Sequence, residues 1–128
     1  MLNKIGFILV LLMALLQGFY AVFAYLDPVS FSIVRGTALV SQADIDWVQI
    51  YASRTLFVSL IIGFLLYLKN YKILIWAALF GIVMPITDGL LAYQAGASFN
   101  VIAKHVATIV YLIVTSLVLK SLVKRENA

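Results

Sequence analysis

Four stretches of this chain each run close to the ~20 apolar residues that a helix needs to cross the hydrocarbon core of a bilayer, and together they take up most of its length. Backbone polar groups find no water in lipid and must be satisfied internally, so such stretches fold as helices. Composition points the same way. Hydrophobic residues make up 65% of the 128 positions and charged residues 11%, against roughly 45–50% and about 25% in soluble domains. So few polar side chains cannot cover so much apolar surface in water. The expected fold is all-α, an integral membrane four-helix bundle in which residues 1–128 form a single domain.

The spans are expected at 5–26, 47–68, 73–93 and 101–119, with a long outer loop at 27–46. Val22, Phe23 and Ala24 have the look of a signal-peptide cleavage site, but the apolar region before them exceeds the ~7–15 residues of a signal core, so the first span is expected to be retained. Asp27 and Pro28 end that span, with Pro28 suited to the first position of a short helix whose Phe31, Ile33 and Val34 would lie on the membrane surface as a lid. Ser41 followed by Asp44 has the capping-box form and predicts a helix start near Gln42. Pro85 predicts a kink in the third span. Small residues one turn apart, Ser59 with Gly63, Ala77 with Gly81 and Ala103 with Ala107, predict close helix contacts.

Lys4, Lys69, Lys72, Lys120, Lys124 and Arg125 fall at one set of span ends, against Arg35 and Lys104 at the other, which places both termini in the cytoplasm. The net charge of +4 is thus a matter of topology, and nucleic acid is not an expected partner. The chain has no cysteine, which excludes disulfides, thiolate metal sites and thiol redox chemistry. One histidine and scattered carboxylates do not make a zinc or two-metal site, and no glycine-rich phosphate cradle or nucleophile elbow is present. No cofactor and no metal are expected.

Charged side chains inside a span are costly and mark functional sites by default. Counting 1.5 Å per residue, Arg54 lies about 10 Å below the outer face, Asp88 about 8 Å, His105 about 6 Å and Gln17 about 13 Å. Each span therefore contributes one strongly polar group to the outer half of the bilayer, and Tyr51 with Arg54, Gln17 with Tyr20, and His105 with Thr108 are neighbours on helical faces. Thr115 and Ser116, in the inner half, can bond back to their own helix.

Two arrangements fit these residues. In one, Arg54 and Asp88 form a buried ion pair that sets helix register. In the other, Arg54 orients an anionic or carbonyl-bearing ligand while Asp88 holds Arg54 or His105, and Tyr51, Tyr20, Gln17 and Thr108 complete an outward-facing pocket for a small lipophilic molecule. Any chemistry there would be proton transfer, with His105 as acid or base alongside Asp88. Two other function classes stay open: a proton-coupled small-molecule transporter working as a homodimer, with Asp88 or His105 titrating, and a structural subunit of a membrane complex.

Asp27-Pro28 after the first span, Gly36 in the loop, Tyr51 to Arg54 leading to Gly63, Asp88-Gly89 and His105 together resemble bacterial four-span membrane families of unknown function in the broad DoxX-like group. The resemblance covers nearly the whole chain. It implies a small four-helix bundle in the bacterial cytoplasmic (inner) membrane and an association with quinone or thiol redox systems.

Overall fold

The computed structural model describes residues 1–126 apart from 38 and 40, and the backbone alone at 43. Among the described residues six helices follow one another: α1 (Leu2–Leu26), α2 (Pro28–Arg35), α3 (Gln42–Tyr67), α4 (Tyr71–Gly81), α5 (Val83–Gln94) and α6 (Phe99–Glu126). Helices α1, α3, the α4–α5 pair and α6 are each long and apolar enough to cross a membrane. The protein is a multi-pass, all-α membrane bundle. Chain direction alternates from span to span, so both termini and the Lys69–Tyr71 turn lie at one end, and α2 and the Gln94–Phe99 turn at the other.

Local chemistry sets the boundaries. Asp27 caps α2 by accepting a hydrogen bond from the Ser30 backbone N–H at 3.1 Å, with Pro28 in the first turn. The Ser30 hydroxyl and N–H hold the Asp27 carboxyl below the usual carboxylate range. A lowered pKa stabilises the folded form above the ordinary carboxylate value, and that contribution fades as pH falls through the lowered one. Acid titration should therefore raise hydrogen exchange at the Ser30 amide, and exchange that does not change down to full protonation of Asp27 would remove the cap from this picture.

The capping box of Ser41 and Asp44 opens α3 as expected. The third span breaks at Ile82, between α4 and α5. Pro85 cannot donate to the Gly81 carbonyl four residues back, and its ring crowds that oxygen, so α4 stops at Gly81. Helix α6 continues beyond the expected span through the basic tail to Glu126, because lysine and arginine are good helix formers and suit the carboxyl end of the helix dipole.

Packing divides the bundle into two halves. Helices α1 and α3 form the tightest pair, and α6 packs along α4 and α5 and more lightly on α1. Small side chains allow the first contact: Ala21, Ala24 and Ala52 are completely buried, the Ser59 hydroxyl donates to the Ala14 carbonyl at 2.7 Å, and a Cβ added to Gly18 would lie 3.1 Å from Ser59 Oγ. The stripe is thus Ala14, Gly18 and Ala21 against Ala52 and Ser59. Gly63 faces open space and Ala107 is exposed, so the expected Ser59–Gly63 and Ala103–Ala107 contacts do not form as pairs. Tyr111 donates from α6 to the Leu9 carbonyl at 2.5 Å and ties the halves together.

The end carrying the termini is sealed by Val10, Leu66, Tyr71, Leu74, Leu119 and Leu122. Thr115 and Ser116 bond to carbonyls of their own helix, as expected. Phe57, Leu60, Phe64, Trp76 and Phe80 point outward, where lipid receives them, and Trp47, Tyr67 and Tyr93 stand near span ends as an interfacial aromatic belt.

Candidate functional site

Helix α2 is folded onto the bundle end, and one side chain explains why. Phe31 is 4% exposed and sits in a box of three rings, 5.5 Å from Phe23, 5.5 Å from Tyr51 and 6.0 Å from Tyr20 between centroids. Ile33 and Val34 face outward as expected of a surface turn, whereas Phe31 is turned inward and plugs the bundle end. The Tyr20 and Phe23 rings stand edge-on to Phe31 and the Tyr51 ring is tilted against it, so the buried ring gains both area and quadrupole contacts.

The plug carries Arg35 inward. Arg35 Nη2 donates to Asp88 Oδ2 in an ion pair, and the guanidinium also lies over the Tyr20 ring, 5.2 Å from its centre. His105, 4% exposed on α6, has Nε2 3.4 Å from the Arg35 carbonyl oxygen. A carbonyl only accepts, so a hydrogen bond at this contact requires the tautomer with its hydrogen on Nε2. The partner of Asp88 is therefore Arg35 rather than Arg54. Arg35 bridges α2, α5 and α6, while Arg54, on a helix scarcely packed against α5, does not reach Asp88.

Gly36 makes this approach feasible. It ends α2 in the left-handed region at φ 87°, and an added Cβ would lie 2.8 Å from Val101 Cγ1 and 3.0 Å from the Ala97 Cβ. Gly36→Ala should cost at least the ~1–2 kcal/mol of a left-handed non-glycine residue. Denaturant unfolding of the variant in bicelles checks this, and a stability equal to wild type would contradict the close approach.

Below the plug lies a cavity of about 360 Å³. Every site residue nominated from the sequence lines it: Gln17 and Tyr20 from α1, Tyr51 and Arg54 from α3, Asp88 from α5, His105 and Thr108 from α6. Each helix presents one face, as in the run Tyr51, Arg54, Thr55, Val58 and Ile62 of α3. Polar groups gather near α2, and Val10, Ile62, Leu74 and Leu112 form the deep end. Gln17 Nε2 is 3.7 Å from Met13 Sδ, a weak partner, and Thr108 donates to the Lys104 carbonyl at 3.0 Å.

Arg54 is exposed, and its hydrogen-bond partner is the neighbouring Ser53 hydroxyl at 3.1 Å. Across from it, Val83, Met84 and Thr87 of α5 line the cavity and are also exposed. Helices α3 and α5 both wall the cavity while scarcely packing on each other, and their exposed lining residues mark a side on which the cavity is open. The sequence reading missed Arg35 as a site residue. Its signal was there, in a basic residue in the last turn of a helix whose buried aromatic would turn it inward.

No curated protein and no solved structure matches the chain. A family model does match, over residues 7–119, from the first span to the end of the expected fourth and so across the whole cavity. The chain belongs to the family described as a domain of unknown function (DUF4267).

Proposed function

We propose that the protein binds a small lipophilic molecule in the cavity beneath α2, its polar head among Tyr51, Arg54 and Gln17 and its apolar part on Val10, Ile62 and Leu112. The observation that carries this reading is the cavity itself, lined mostly by apolar side chains, with a few polar groups converging beneath α2. In this reading Asp88 and His105 position Arg35 and the plug, so the two groups nominated for proton transfer serve to hold the lid. The sealed apolar end favours binding over passage as a proton-coupled transporter.

Six basic residues at the end carrying the termini support a cytoplasmic placement of both termini, with the cavity facing the outer leaflet of a bacterial inner membrane, in keeping with the DoxX-like resemblance. The native chain has no cysteine, so single-cysteine variants report this cleanly. Ser98→Cys should react with an impermeant maleimide on whole cells and Ser121→Cys should not; the reverse pattern would invert the topology.

Binding is tested by substituting Arg54, Tyr51 and Thr108 singly with alanine and measuring retention of a lipophilic probe together with thermal stability. Retained stability with lost probe supports a binding site. Unchanged probe retention in all three variants sinks it.

A further inference from the structure

We infer that the cavity's ligand is a single-chain amphiphile with a carboxylate head, which enters sideways between α3 and α5 and is held by Arg54. This rests on the proposed binding function and adds the class of ligand and the route. Among the described residues, the charged groups lining the cavity are Arg35, Arg54 and Asp88. Asp88 is engaged by Arg35, and the hydrogen-bond partner of Arg54 is the neutral Ser53 hydroxyl. The walls thus hold one positive charge in excess, inside a membrane span, where charges pair or meet water.

One negative charge balances it. A carboxylate supplies that charge and fits the guanidinium fork with two parallel N–H···O bonds, whereas a phosphate monoester brings about −1.5 to −2. The volume, about 360 Å³, is at the small end of the ~300–1,000 Å³ typical of ligand pockets, which suits one chain rather than two. Arg54 stands at the side opening, opposite Met84 and Thr87, where a lipid-dissolved molecule would arrive with its chain already in the bilayer.

The test uses the full chain in nanodiscs of zwitterionic phospholipid, with dodecanoate, dodecanol and dodecyl phosphate as probes. Dodecanoate should bind at least about tenfold more tightly than dodecanol, and Arg54→Gln should abolish that preference without changing the melting temperature, while Arg54→Lys keeps part of it. Thr87→Trp should slow association by narrowing the opening. Equal binding of acid and alcohol would overturn the carboxylate assignment and leave the binding function standing. Tighter binding of the alkyl phosphate would assign Arg54 to lipid phosphate instead, and unchanged association in Thr87→Trp would overturn the side route. No binding of any probe by folded protein would overturn both this inference and the function beneath it.

Discussion

Asp88→Ala should destabilise the bundle by about 3 kcal/mol, the lower end of the range for removing one partner of a buried ion pair, since the Arg35 and Asp88 side chains keep 17% and 29% exposure. The loss comes mainly from what remains. Arg35 would stay tucked under α2 by Phe31, with its guanidinium facing Tyr20 and no carboxylate to balance it. The double variant Arg35→Met with Asp88→Leu should therefore recover much of the lost stability, because two apolar side chains replace the pair without stranding a charge. Unfolding in mixed micelles by titrated denaturing detergent measures both variants. A double variant less stable than Asp88→Ala would show that the ion pair itself, rather than the uncompensated charge, dominates.

Phe31→Ala should cost about 3–5 kcal/mol, the usual loss for truncating a buried aromatic side chain. Phe31 is enclosed by Tyr20, Phe23 and Tyr51, which come from α1 and α3, so its removal detaches α2 from the tightest helix pair in the bundle. The damage should stay local. Hydrogen exchange should accelerate in α2 and at the Arg35–Gly36 corner while the α4–α6 core keeps its protection. Uniform acceleration across all helices would mean that α2 is part of the global folding unit and not a separately fastened lid.

Most of the fold was legible because each element announces itself locally. The spans follow from apolar length, α2 from Asp27 and Pro28, the start of α3 from Ser41 and Asp44, and the break between α4 and α5 from Pro85 acting on Gly81. The level at which the polar residues meet was legible too, since depth follows from helical rise. What rise along one axis does not give is rotation about it, which packing decides. Arg54 and Asp88 share a level, but α3 and α5 stand apart, and the pair does not form. Arg35 lies outside every span in the linear sequence, and only the burial of Phe31 turns it inward. The small-residue stripe shows the same limit: Ser59 was identified, but its partners Ala14 and Gly18 belong to another helix and lie far away in sequence.

The claim that the cavity is a binding site is tested most directly by native mass spectrometry of gently extracted protein, wild type beside the cavity-filling variant Ala78→Phe. Ala78 is buried on the cavity wall, so a phenyl ring there takes up space that a ligand would use. The expected result is one non-phospholipid adduct per wild-type chain, absent from an Ala78→Phe protein that melts no lower than wild type. The same adduct at the same occupancy on both proteins would place the bound molecule elsewhere and contradict the cavity as the site.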